Sequence, residues 1–223
     1  IKDFKLDNKP DPVRNYILIS STFRKVTPEF IDCIKSISKE YYHRNKSDEK
    51  LIYNIYGEWI NQAAVGIQWK GDDASLMSLK HDIFNVAMSY EYHEYYFRYY
   101  PDYNDYMYER AKCRVSFDTY PYGGCSTIIE NLKMQIPVIV YAGEETTSNF
   151  GSFIYNRLGL DELIVYSYEE YIELALKLLF DDDFYNQIIH KLKNVDEKKY
   201  VDNNEELIHQ EFTKLIKEHT KKN

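Results

Sequence analysis

Short apolar runs rich in β-branched and aromatic residues alternate here with stretches whose apolar positions recur at helical spacing, and this alternation constrains the fold more than any other feature. YILIS (Tyr16 to Ser20) has the length and composition of a buried strand, and KLIYNIY (Lys50 to Tyr56) those of a second. IFNVAM (Ile83 to Met88), CRVSF (Cys113 to Phe117), VIVY (Val138 to Tyr141) and LIVY (Leu163 to Tyr166) follow as the third to sixth. Thr27-Pro28 supplies an N-cap with proline at the first helical position, and Phe30, Ile34, Ile37 and Tyr41 then share one face. Thr127 to Met134 and Ser148 to Leu158 read as helices. Ser167 to Glu170 reads as a capping box opening another, and Asp183 to Leu192 and Glu205 to Glu218 as two more polar ones. Strands alternating with helices predict an α/β fold, a Rossmann-like, doubly wound parallel sheet. The first 15 residues, charged and carrying Pro10 and Pro12, read as a linker, which leaves residues 16–223 as one domain.

Charge narrows the partners. The formal net charge is -8, with 36 acidic against 28 basic residues, and this is not the basic footprint of a nucleic-acid binder or of a protein docking on anionic lipid. No apolar run approaches the roughly 18 residues that a membrane span needs. The amino-terminal stretch lacks the apolar core of a signal peptide. Cys33, Cys113 and Cys125 form neither a CxxC nor an even set, as expected of reduced thiols in the cytoplasm.

In a doubly wound sheet ligands bind beyond the carboxyl ends of the strands, so the residues after each strand are the ones to weigh. After the fourth comes Asp118-Thr119-Tyr120-Pro121-Tyr122-Gly123-Gly124-Cys125-Ser126-Thr127. Gly123 and Gly124 allow close backbone approach and positive φ. Ser126 and Thr127 open a helix whose free N–H groups and positive dipole end suit a phosphate. Glu130, one turn in, is placed to accept the hydroxyls of a ribose. Thr127 to Glu130 is equally a capping box that needs no ligand. After the first strand, Ser20-Ser21-Thr22-Phe23-Arg24-Lys25 offers hydroxyls and a lysine able to neutralise a departing diphosphate, or simply a solvated basic loop. Around the third strand, backbone groups at Met88 are candidates to read a base edge, and His93 is either a nucleoside contact or a structural histidine. Ala142 to Ser148 reads as a loop with a structural cap, and Asp181 to Asp183 as a solvated turn. No HExxH is present, nor an Asp-x-Asp of the kind that holds a divalent ion to a diphosphate, since the Asp181 to Asp183 run reads as a turn between helices, so no metal site is expected; neither a GxGxxG nor a GxSxG motif occurs.

FDTYPYGGCSTIIENLKMQIPVIVYAGE, Phe117 to Glu144, resembles the donor-binding signature of the O-GlcNAc transferases and of bacterial adhesin glycosyltransferases, cytoplasmic enzymes that place hexose on asparagine. Ser20 to Ile37, Tyr92 to Tyr95 and Asn156 to Leu178 resemble further segments of the adhesin enzymes, so the likeness runs with gaps over residues 15–180. The resemblance implies the carboxy-terminal half of a GT-B glycosyltransferase. It implies an inverting, metal-independent enzyme with a UDP-sugar (UDP-glucose or UDP-GlcNAc) as donor substrate, no cofactor and a protein acceptor. Much of the acceptor site would then lie in an amino-terminal GT-B domain absent from this chain. By motif position Lys25 takes the diphosphate lysine's place, Ser126 and Thr127 the phosphate contacts, Glu130 a ribose aspartate, and His93 a nucleoside histidine. Thr22, Met88 and Gly124 complete the expected substrate-binding set.

The chain departs from the pattern at Glu130 (longer than aspartate), at Phe23 (a hydroxyl residue in the adhesin enzymes) and at Ser89 (a histidine there). Phe97 to Tyr108 reads as an extra stretch lengthening a helix. These departures feed an alternative, a non-catalytic GT-B-like module for protein assembly or export.

Overall fold

The computed structural model describes residues 9–21, 25–46, 48–56, 85–98 and 100–196, and the single positions 210, 213 and 217. Strand β1 (Val13–Ser20) leads into helix α1 (Pro28–Arg44) and β2 (Leu51–Tyr56). Then come β3 (His93–Phe97), α2 (Tyr103–Ala111), β4 (Cys113–Phe117), α3 (Ser126–Lys133) and β5 (Val138–Tyr141). The described part ends with α4 (Phe150–Leu158), β6 (Ile164–Val165), α5 (Tyr168–Phe180) and α6 (Asp182–Lys193). The six strands form one parallel sheet in the order β3-β2-β1-β4-β5-β6. This is the α/β, Rossmann-like doubly wound arrangement, with its direction of winding reversing between β1 and β4.

Alternation along β1 shows how one strand serves two layers. Ile17 and Ile19 join the larger core with Phe30, Ile34 and Ile37 of α1 and with α5. Leu18, between them, joins a second cluster on the other face with Met107 and Ala111 of α2. All five residues of β4 are buried, as a central parallel strand requires. Thr27 caps α1 by accepting the Phe30 N–H, with Pro28 in the first turn. Ser167 caps α5 by accepting the Glu170 N–H at 3.1 Å; Glu170 Oε2 reaches back to the Tyr166 N–H at 2.7 Å, one residue beyond the usual box. Gly159 ends α4 in the left-handed region, φ 67°. The acidic run is not merely solvated. Asp181 accepts the Phe184 N–H and caps α6, and Asp182 accepts from both Arg14 and Arg114.

Three expectations change. Val13 to Asn15, assigned to a linker, are the first residues of β1. The third strand is not Ile83 to Met88: residues 85–88 form a helical turn with Val86 exposed, while residues 83 and 84 lie outside the described set. The strand is HEYYF, paired in register with β2 from Leu51↔His93 to Ile55↔Phe97. Its burial alternates, with Glu94 and Tyr96 exposed, as on an edge strand carrying aromatics of high β-propensity. Consequently Phe97 to Tyr108 does not lengthen a helix. Phe97 closes β3, and Asp102 caps α2 by accepting the Asn104 and Asp105 N–H groups. The helix expected at Glu205 to Glu218 lies outside the described residues except at 210, 213 and 217, each helical. Among the described residues no helix is long and apolar enough to cross a membrane.

Candidate functional site

The carboxyl ends of β1 and β4 lie side by side at the reversal point of the sheet, and the loops leaving them meet there. Ser21 Oγ and Thr119 Oγ1 are 3.1 Å apart, and the Thr119 hydroxyl also donates to the Tyr122 carbonyl at 2.8 Å. Lys25 Nζ donates to the Gly123 carbonyl at 2.9 Å and sits 4.5 Å from the centre of the Tyr122 ring. From behind, the buried Asp118 carboxyl accepts the Gly124 N–H at both oxygens, at 2.8 and 3.0 Å. The Gly123 N–H donates to the Thr147 carbonyl at 3.0 Å, which fixes the turn to the loop after β5. The turn contains a cis Tyr120–Pro121 bond. Contacts from the segments that follow β1, β4 and β5 thereby hold one turn.

Of the two glycines, Gly124 is constrained by space and not by φ. The only positive-φ glycine among the described residues is Gly159. A Cβ at Gly124 would collide with Thr127 Oγ1 and lie 3.2 Å from Asp118 Oδ1. Helix α3 then begins at Ser126, with Cys125 as its N-cap and no side-chain cap hydrogen bond. Thr127 is therefore inside the helix, and the capping box that sequence left open is not formed. Ser126 is exposed and Thr127 half-buried, beside the first-turn N–H groups that α3 leaves without intrahelical partners.

The electrostatics follow from burial. Lys25 is half-buried, and desolvation lowers its pKa below the ordinary lysine value, opposed by the Asp118 and Cys125 charges. Burial pushes Asp118 up to about 7, opposed by the Gly124 N–H, the Lys25 charge and the Thr119 N–H. The Lys25 ammonium and the N–H groups at the start of α3 thus flank the same turn, a positive charge and donors of the kind that stabilise an oxygen-rich anion.

The remaining predicted residues divide. Thr22 lies outside the described residues. Glu130 is on α3, where its Oε2 pairs with Arg110 Nη1 at 2.5 Å. Met88 and His93 are not brought to this opening. His93 pairs with Leu51, the first residue of β2, whereas the carboxyl end of β1 pairs with Tyr56, the last. Five residues of parallel strand separate those levels, about 16 Å. His93 is buried, with Nε2 2.8 Å from the Met88 carbonyl and Nδ1 3.0 Å from Ser38 Oγ. A neutral ring satisfies both, donating to the carbonyl and accepting from the hydroxyl, and burial lowers its pKa accordingly. Met88 lies ahead of β3 and His93 is its first residue, so both stand at the amino end of that strand and not beyond the carboxyl end of one, where the expected nucleoside contact would be.

Moving β3 also changes what stands at its carboxyl end. Arg98 Nε donates to Asn54 Oδ1 at 2.8 Å. Tyr100 stacks on Tyr56 at 6.4 Å, Tyr106 meets Tyr56 edge-on at 5.6 Å, and Tyr103 lies 6.0 Å from Tyr106. Sequence reasoning missed these tyrosines and Asp118. The usable signals were the alternating HEYYF run, the Pro101-Asp102 helix start after it, and an aspartate immediately ahead of a Gly-Gly turn. An open groove lined by Arg44, Glu173, Lys177 and Asp181 lies at the other end of the sheet, away from this opening. No group of three or more His, Cys, Asp or Glu side chains suited to a metal occurs among the described residues.

No protein-family model matches the chain. It is 36% identical over 78 residues to a rice (Oryza sativa subsp. japonica) protein named "Probable UDP-N-acetylglucosamine--peptide N-acetylglucosaminyltransferase SPINDLY", and 35% identical over 78 residues to the barley (Hordeum vulgare) protein of that name. Each match covers 35% of this chain and 8% of the relative, so only a small part of those proteins is represented. Among solved structures, an O-GlcNAc transferase variant from Thermobaculum terrenum superposes with a TM-score of 0.64 at 19% identity, covering 89% of this chain and 35% of that one. A UDP-forming α,α-trehalose-phosphate synthase from Burkholderia vietnamiensis gives a TM-score of 0.51 at 11% identity, over 85% of this chain and 44% of that one. The chain resembles O-GlcNAc transferase-like GT-B enzymes, and its fold is that of one Rossmann-like half of such a protein.

Proposed function

We propose that this chain is the donor-binding half of an inverting, metal-independent glycosyltransferase that uses a UDP-sugar, UDP-glucose or UDP-GlcNAc, and transfers the sugar to protein in the cytoplasm. The observation that carries the reading is the meeting of Lys25 with the Asp118 to Thr127 turn and the start of α3, at the reversal point of the sheet. In this reading the diphosphate lies against the Ser126 and Thr127 end of α3. Lys25 offsets the charge that grows on the departing UDP as the acceptor attacks the anomeric carbon from the opposite side. Glu130 accepts from the ribose, and Tyr103 and Tyr106 border the nucleoside end. The acceptor and the remaining catalytic groups belong to an amino-terminal domain outside this chain. The names of the curated relatives, which carry UDP-N-acetylglucosamine and peptide, support the donor and acceptor classes.

Cys125 offers a test that changes no residue. It is exposed at the start of α3, whereas Cys33 and Cys113 are buried. UDP at ten times its Kd is expected to slow maleimide labelling of Cys125 about tenfold, by mass action alone. Labelling at the same rate with and without saturating UDP would remove the diphosphate from this turn. It would favour the non-catalytic module, in which Lys25 and Glu130 serve only their contacts to Gly123 and Arg110.

A further inference from the structure

Arg110 is fully buried. Taking a guanidinium out of water is expensive, and pairing it with one carboxylate seldom returns that cost as stability. Here the cost is higher still, because Arg110 Nε is buried with no hydrogen-bond partner. What an arginine provides that an apolar side chain would not is a rigid fork. Nη1 meets Glu130 Oε2 at 2.5 Å and the Tyr106 hydroxyl at 2.6 Å, and Nη2 meets Asn131 Oδ1 at 2.9 Å. The Asn131 side chain in turn donates to Ser116 Oγ of β4 at 3.1 Å. A chain of buried groups therefore ties the Glu130 carboxylate to a central strand. The tie suits a glutamate, whose extra methylene gives one more torsion than aspartate has. The contact uses one oxygen of a half-buried carboxylate, a group with about four acceptor positions in all, so capacity for a diol remains.

We infer that Arg110 is a positioning residue, which holds Glu130 ready to accept the 2′- and 3′-hydroxyls of a bound nucleoside diphosphate; this rests on the nucleotide reading above. The test is calorimetric binding of UDP and 2′-deoxy-UDP to the chain and to Glu130→Ala, Arg110→Met, Arg110→Lys and the Glu130→Ala/Arg110→Met double variant. The unaltered chain is expected to prefer UDP by about tenfold, the worth of one hydrogen bond to a charged group. Glu130→Ala and Arg110→Met should each bring the ratio close to one, and the double variant should lower it no further, as coupled residues do. Arg110→Lys keeps a buried cation should methionine not fold. It should also lose most of the preference, because an ammonium cannot meet Glu130 and Asn131 as a fork. Arg110 variants that melt earlier yet keep the full preference for ribose would overturn the inference and leave Arg110 purely structural. An unaltered chain that binds both nucleotides equally would overturn it too, with the nucleotide reading intact. A chain that binds neither would overturn both.

Discussion

Lys25→Ala is expected to weaken UDP binding to this chain by about ten- to a hundredfold, with the fold retained. The magnitude is that of a hydrogen bond from a charged donor to a charged acceptor in a partly desolvated place, about 1.5–3 kcal/mol. Lys25 is the one described cation held over the turn, 2.9 Å from the Gly123 carbonyl and over the Tyr122 ring. A diphosphate at the start of α3 would draw it from a neutral carbonyl to an anion. Because Lys25 is half-buried in a short loop and belongs to no core cluster, its loss should leave the melting temperature of the free chain nearly unchanged. Titration calorimetry on the two proteins decides the matter. Equal Kd values would mean that Lys25 serves only to brace Gly123.

Asp118 predicts a second large effect, on stability. Its carboxyl is buried behind the Gly123–Gly124 turn, and burial raises its pKa from 3.8 to about 7. The folded chain therefore holds this proton to higher pH than the unfolded chain does. The stability it contributes is fully present below about pH 4 and is lost as pH rises through 7. Three pKa units correspond to about 4 kcal/mol, or roughly 10 °C in melting temperature for a chain of this size. Asp118→Asn retains an oxygen for the Gly124 N–H and carries no charge. Above pH 7 it should melt well above the unaltered chain, and at pH 4 the two should converge. Parallel melting curves, with a constant gap from pH 4 to 8, would show that Asp118 is ionised in the fold throughout that range.

Much of the sheet was legible because its central strands are buried on both faces and so read as continuous apolar runs. β1, β4 and β5 fall within a few residues of where those runs end. The edge strand was not, since HEYYF is half-exposed and its alternation of large aromatics resembles a helix as easily as a strand. One misplaced strand carried Met88, weighed for its backbone groups, and His93, weighed for its ring, to the wrong end of the sheet. The turn at Asp118 to Thr127 was legible in its parts, because proline, paired glycines and hydroxyls each demand a local geometry. Its long-range contacts were not. Nothing local to Lys25 tells that it reaches Gly123, and nothing local to Glu130 tells that a buried arginine 20 residues earlier holds it. Glu130 therefore keeps its predicted place on α3 but with a partner that spacing alone does not reveal.

Thermal unfolding of the chain with UDP, against ADP and GDP, tests the central claim most directly. UDP at about 100 times its Kd should stabilise the folded state by roughly 2.7 kcal/mol and raise the melting temperature by roughly 5 to 10 °C, with little effect from the purine nucleotides. No shift with any of the three at millimolar concentration would contradict a donor site at the β1–β4 opening.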